Sequence, residues 1–165
     1  MVIDESPAPG HQVRIASQSD ANIFAELLDA FNREFDTPTP GVETLRVRLM
    51  GLLVADGTIA LIAGDPPVGI ALLSLRTNVW FDGPVAVLDE LYVIPASRNQ
   101  GFGTALLGGA EAACSRERVD LVEINVDGED VDARRFYERH GYTDRDAGQQ
   151  ESQLYYSKEL AGSRE

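Results

Sequence analysis

Three residues in the stretch LYVIPASRNQGFGTALLGGA, residues 91–110, are placed to do chemistry together: Arg98, Gly101 and Gly103. They stand between an apolar, β-branched run and an alanine- and leucine-rich one, where a strand would turn into a helix. The first turn of a helix leaves backbone N–H groups unpaired and carries a partial positive charge. Glycines there let the backbone approach an anion closely, so a diphosphate could accept several N–H bonds at once. Arg98 adds a cation at the mouth. A tight turn capping a helix would use the same glycines, so the loop by itself does not decide between them.

The spacing excludes two common phosphate cradles. A P-loop follows its second glycine with Lys and Ser or Thr, whereas Gly103 is followed by Thr104 and Ala105. The dinucleotide fingerprint G-x-G-x-x-G/A needs a small residue where this chain has Leu106.

Other reactive side chains are few. The one cysteine, Cys114, sits in a small apolar setting and reads as a packing thiol; a single cysteine excludes an internal disulfide. His11 and His140 have no metal-ligand spacing, so no metal is expected. No Ser-His-Asp constellation is visible. Carboxylates are more suggestive. Asp89 and Glu90 interrupt an otherwise apolar strand, and adjacent strand residues point to opposite faces, so at most one serves a given site. A carboxylate in a mostly buried strand has a raised pKa unless it is paired, which suits proton uptake near neutrality. Glu123, Asn125 and Asp127 alternate with apolar residues on one face of a later strand, and Glu34 and Asp36 end the first helix.

Those residues need elements to hold them. QVRIA reads as a short strand, and Ser19-Asp20 offers a cap to a helix carrying Phe24, Leu27, Leu28, Phe31 and Phe35 on one face. Thr39 and Pro40 suit the cap and first position of a second helix, with Leu45, Leu49, Leu52 and Leu53 inward and Gly57 at its end. TIALIAG and VGIALLSLRT form a hairpin, VAVLDELYVI a further strand, and the run from Gly103 to about Arg118 a helix. VDLVEINV is a fifth strand, VDARRFYERHG a helix closed by Gly141, and QLYYSKEL a last strand. The order β-α-α-β-β-β-α-β-α-β describes one mixed α/β domain.

With 165 residues the chain is long enough for one good core, and 44% hydrophobic with 25% charged residues place it among globular proteins. The net charge of −13 opposes binding to nucleic acid or to an anionic membrane; it would favour a cationic small molecule, but a generally acidic, soluble surface carries the same charge, which by itself identifies no substrate. Apolar runs are short, and Met1 to Glu5 shows no basic region followed by an apolar one, so a cytoplasmic protein is the expectation.

The junction reads R-x-x-G-x-G, and with its surroundings it resembles the GNAT superfamily of N-acetyltransferases. In that family a Q/R-x-x-G-x-G/A loop holds the pyrophosphate of acetyl-CoA after a strand ending L-Y-V-x-P, matched by Leu91, Tyr92, Val93 and Pro95. A second signature, A-x-x-x-Y-x-x-x-G-F/Y, is matched downstream by Ala133, Tyr137, Gly141 and Tyr142. The resemblance implies an α/β (α+β) fold with a mixed, mostly antiparallel sheet of about six or seven strands and about four flanking helices. It implies an acetyltransferase domain over residues 12–161, after a lead-in at 1–11 and before a tail at 162–165.

It also implies roles. The backbone of Leu91, Tyr92 and Val93 would bond the pantetheine arm as an added strand does. Arg98, Asn99, Gln100, Gly101, Phe102, Gly103 and Thr104 would hold the pyrophosphate. Asp130 stands where the family often has Asn, and it can accept a hydrogen bond but not donate one. Tyr137 would protonate the CoA sulfur. Glu90 would be the base, though it could instead bind the acceptor's ammonium or pair with an arginine, and many relatives use a water chain. Glu34 and Asp36 fall in the region that similar enzymes use for the acceptor wall; with Glu123, Asn125 and Asp127 they could recognise an ammonium group, or both groups could be solvated faces. The stretches FNREFDTPTPG and DELYV are similar to aminoglycoside 3-N-acetyltransferase-like members. The expected activity is direct acetyl transfer from acetyl-CoA to a primary amine, a cationic small molecule or a peptide amine. A catalytically silent acyl-CoA-binding module is the alternative. Family members are often homodimers, and the tail strand could serve such an interface.

Overall fold

In the run Thr58–Ala63 (β2) successive side chains face opposite ways, and the two faces carry different helices. The computed structural model describes residues 11–160. The expected lead-in and tail lie outside those residues, His11 excepted. Two compact units form, one ending at Ile124 and the other beginning at Asn125.

In the first unit, Val13–Ile15 (β1), β2, Gly69–Arg76 (β3) and Val85–Val93 (β4) pair antiparallel in sequence order, and Leu121–Ile124 (β5) joins β4 in parallel. Ala21–Glu34 (α1) and Val42–Leu52 (α2) share one face. There Phe24, Leu27, Leu28 and Leu49 form a core with Ala60, Ile62, Ile70 and Tyr92. Phe102–Arg116 (α3) covers the other face. A side chain on Gly109 would come within 3.0 Å of Val13 and 3.6 Å of Leu61, and one on Gly69 within 3.0 Å of Leu106, so small residues let this helix lie close.

Two helix starts differ from expectation. Asp20 is the residue before α1, but its carboxylate accepts from Arg14 and from the Ser17 N–H rather than capping the helix. Helix α2 begins at Val42, after Gly41 with φ 88°, and not at Pro40. Thr39 instead donates its hydroxyl to the buried Asp29 at 2.6 Å, which draws it away from a capping role. The same helix stops at Leu52, five residues short of Gly57.

The feature that shapes the sheet is a bulge in β4. Leu72 pairs with Glu90 and Leu73 with Leu88, so Asp89 is an extra residue without a partner. Directly opposite residues share a face. Leu88 therefore lies with Leu73 on the α3 face, while Glu90 lies with Leu72, Ile70 and Tyr92 on the α1 face. Without the bulge, Leu88 and Glu90 would point the same way. Pairing with β5 runs only from Val85 to Leu88, so from Asp89 onward β4 has one paired edge among the described residues.

The second unit contains Val131–Arg139 (α4). Among the described residues the sheet has five strands, not six or seven, and QLYYSKEL joins none of them, with Leu154, Tyr155 and Tyr156 each more than two-thirds exposed. Strand propensity is a preference for a half-buried, paired surface, and this segment has no strand beside it and lies exposed. No helix among the described residues is long and apolar enough to cross a membrane.

Phe24 is fully buried between α1 and the sheet, whereas Trp80, in the β3–β4 connection, is 86% exposed. Phe24→Ala is expected to lower the unfolding free energy by about 3–5 kcal/mol. Trp80→Ala is expected to change it by less than about 0.5 kcal/mol. Denaturant unfolding followed by far-UV circular dichroism checks both.

Candidate active site

After β4 the chain makes a short 3-10 turn, Pro95–Ser97, and then a loop into α3. Asn99 (φ 58°) and Gly101 (φ 93°) are both left-handed, a conformation Asn tolerates and Gly adopts freely. The first backbone bond of the helix is from the Ala105 N–H to the Gly101 carbonyl, at 2.9 Å. The amides of Asn99, Gln100, Gly101, Phe102 and Gly103 have no hydrogen-bond partner among the described residues, and no acidic residue stands in the first turn of α3. Thr104 follows them in that same turn. Left-handed residues before a helix start gather free amides into a concavity that suits an anion with several oxygens. A diphosphate fits the donor set.

Arg98 is not a free cation at this mouth. Its guanidinium bonds both oxygens of Glu34 at 2.7 Å, and its Nε donates to the Val93 carbonyl at 2.9 Å. The Tyr92 hydroxyl donates to the same Glu34 carboxylate at 3.1 Å, and the Tyr92 ring stacks on Phe31 with centroids 4.9 Å apart. This network ties the end of α1 to the end of β4. The Arg98 guanidinium holds the Glu34 carboxyl below the usual carboxylate range, and Glu34 in turn raises Arg98. Burial, then the hydrogen bond to Glu34, pushes the Tyr92 phenol up. Glu34, expected on an acceptor wall, thus has both oxygens taken up by its own chain. Asp36, two residues on, is exposed with φ 52°.

Glu90 behaves differently. It is half-buried on the α1 face and makes no hydrogen bond or ion pair among the described residues. Burial pushes its carboxyl up, and the charge of Asp89 adds to that. Leu91 and Val93, beside it, are half-buried on the strand segment that β5 does not cover.

The remaining expected acceptor residues are accounted for in other ways. Glu123 pairs with Arg76 at 2.5 Å, which fixes it as a cross-sheet ion pair. Asn125 and Asp127 are exposed in the second unit. There Asp130 accepts from the Ala133 N–H at 2.9 Å and caps α4, the work its carboxylate is shaped for. The far end of α4 closes on Gly141 (φ 87°), with Tyr142 N–H bonding the Tyr137 carbonyl and Gly141 N–H the Glu138 carbonyl, both at 3.1 Å.

Tyr137 is buried, its ring edge-on to Phe136 at 5.1 Å and to Tyr142 at 5.7 Å. Its hydroxyl has no partner among the described residues, yet no fully buried side-chain polar atom is left unsatisfied. The ring is packed, and its oxygen is not fully enclosed. Burial, with the Asp130 charge second, pushes the phenol up, so it keeps its proton at neutral pH. The residues expected from the sequence fall in both units: Glu90, the loop and Arg98 in the first, Tyr137 and Asp130 in the second.

One residue at the loop carried no signal in the sequence. His11 places Nε2 on the Gln100 carbonyl, and its ring meets Phe102 edge-on at 4.8 Å. Only a contact across 89 positions identifies it.

The profile of the Acetyltransferase (GNAT) family matches residues 23–142. The chain is 36% identical over 73 residues to the mycothiol acetyltransferase of Beutenbergia cavernae, a match covering 42% of this chain and 25% of that protein. It is 32% identical over 75 residues to the aminoalkylphosphonate N-acetyltransferase of Salmonella typhimurium, covering 46% of this chain and 49% of the other. The chain thus spans about a quarter and about half the length of these two curated relatives. A crystal structure from Arthrobacter sp. FB24, provisionally designated an acetyltransferase, is 47% identical with a TM-score of 0.87, over 94% of this chain and 100% of that one.

Glu34→Gln removes the charge that compensates Arg98. Both side chains are partly exposed, 38% for Arg98 and 27% for Glu34, so screening limits the effect. The variant is expected to be about 0.5–1.5 kcal/mol less stable than the parent at pH 7. Because the folded-state pKa of Glu34 is lowered, its contribution is present above the unfolded value, near about 4.3, and is lost as pH falls through the lowered one. The difference between parent and variant should therefore close below about pH 4, which urea unfolding across pH reads directly.

Proposed function

Since the chain belongs to the GNAT family of acetyltransferases, we propose that it moves an acetyl group from acetyl-CoA directly to a primary amine, most simply a cationic small molecule. The observation that carries this reading is the continuity of two unfilled backbone surfaces: the half-paired end of β4 and the free amides from Asn99 to Gly103. The first suits a pantetheine arm laid along Leu91 to Val93, and the second a pyrophosphate at the start of α3. Their order along the chain matches the order of those groups in CoA.

The chain's residues then divide the chemistry. Glu90, unpaired and with a raised pKa, takes the proton that the ammonium must lose, directly or through water. Tyr137, protonated and with a free hydroxyl, gives a proton to the departing thiolate. Holding donor and acceptor together supplies much of the rate, up to about 7–11 kcal/mol for well-oriented reactants. The net charge of −13 favours approach of a cation, which supports a polyamine, an aminoglycoside-like compound or a basic peptide amine as acceptor. The name of the aminoalkylphosphonate N-acetyltransferase relative supports an amine as acceptor.

Gly103 has no positive φ, so Gly103→Val adds a side chain at the cradle without forcing the backbone. It is expected to weaken CoA binding by about 10- to 100-fold in a calorimetric titration, the equivalent of losing one charge-assisted contact. Unchanged affinity would displace the cradle from this loop. Tyr137→Phe is expected to lower kcat by about 100-fold or more with little change in acetyl-CoA affinity. Equal turnover would leave Tyr137 as packing. For the parent, the acid limb of kcat/KM should fall above the ordinary carboxylate range, because protonating Glu90 stops it accepting a proton. Glu90→Gln should abolish that limb. A limb that persists in the variant would assign the base elsewhere.

A further inference from the structure

We propose that His11 is a positioning residue for the loop before α3: by holding the Gln100 carbonyl it fixes the direction in which the Gly101 amide points. The proposal rests on the reading of that loop as the pyrophosphate site.

A carbonyl oxygen only accepts, so His11 Nε2 must carry the hydrogen in its bond to Gln100. That carbonyl and the Gly101 N–H belong to one planar, trans peptide unit and point in opposite directions. Anchoring the first therefore aims the second away from the imidazole. If this unit turned over, a carbonyl oxygen would stand where the cradle offers a hydrogen, and would repel an anion. Such a turn is within reach here, because Asn99 and Gly101 on either side of Gln100 are both left-handed and the loop's own bonds are sparse. Gln100 holds only its side chain in place, through Nε2 to the Ala96 carbonyl at 2.9 Å.

The imidazole is itself held. Its ring lies edge-on to Phe102, the first residue of α3, and a Cβ on Gly101 would sit 3.3 Å from its Nε2 and 3.5 Å from its Cε1. Behind it, the Gln12 carbonyl accepts from the Gly64 N–H at 2.9 Å, and β1 follows at once, paired to β2. Gly109 of α3 lies close against Val13. The start of β1 and the start of α3 are thus joined through one ring. With Arg98 committed to Glu34, the orientation of these amides carries the anion site, so the residue that sets it acts on cofactor affinity.

The test compares CoA with S-acetylpantetheine, which lacks the pyrophosphate, on the full chain and three variants. The parent should bind CoA more tightly than S-acetylpantetheine. His11→Ala should weaken CoA by about three- to tenfold, the range of one net hydrogen bond, and leave S-acetylpantetheine unchanged. His11→Gln and His11→Asn keep a donor, and at least one should recover most of the loss. If His11→Ala binds CoA as the parent does, or weakens both ligands equally, His11 does not position the cradle. If the parent itself binds the two ligands equally, the pyrophosphate reading of the loop falls and this proposal with it.

Discussion

A β-strand that loses its partner halfway along leaves backbone donors and acceptors that something must satisfy. In this protein β4 is paired on both edges from Val85 to Leu88 and on one edge beyond it. The bulge at Asp89 falls at that boundary. It rotates the rest of the strand so that Glu90 and Tyr92 share the face carrying α1, while the edge that β5 does not cover runs on toward the loop that enters α3. The carboxylate, the open edge and the free amides follow one another along fourteen residues, Glu90 to Gly103, because one strand stops being paired there. A ligand that is part strand-like and part anion can complete both surfaces.

The charges follow a related logic. With a net charge of −13, the chain would be expected to attract an anion through its cations, and Arg98 is the cation nearest the cradle in sequence. The structure commits it to Glu34, with Tyr92 closing the set. Its contribution is to join α1, the end of β4 and the loop, which leaves the proposed anion to the backbone amides at the start of α3. Glu90 makes no ion pair among the described residues, which suits it to the role of base proposed for it.

Local patterns in the sequence were enough to find most elements. Short apolar runs bounded by turn residues located β1 to β4 within one or two residues, and the 3–4 spacing of Phe24, Leu27 and Leu28 gave the buried face of α1. Gly141 ended α4 where a left-handed cap was expected. What stayed hidden depended on long-range partners. VAVLDELYV is an apolar run broken by the adjacent acids Asp89 and Glu90, and nothing local tells which of them is the extra residue of a bulge that is defined by pairing with Leu72 and Leu73. Glu34 and Arg98 are 64 positions apart, and Glu123 meets Arg76 across 47. Thr39 has the residue type of a helix cap, but the buried Asp29 captures its hydroxyl. QLYYSKEL has strand propensity but no strand beside it among the described residues.

The central claim is that this chain places an amine against an acetyl thioester. Release of CoA thiol from acetyl-CoA, followed across polyamines, aminoglycosides, amino acids and short basic peptides, tests it most directly. Release that is accelerated by one cationic class and saturates with it is the predicted result, and it would name the acceptor. Tight acetyl-CoA binding with no acceleration by any amine would contradict the claim and leave an acyl-CoA-binding module in its place.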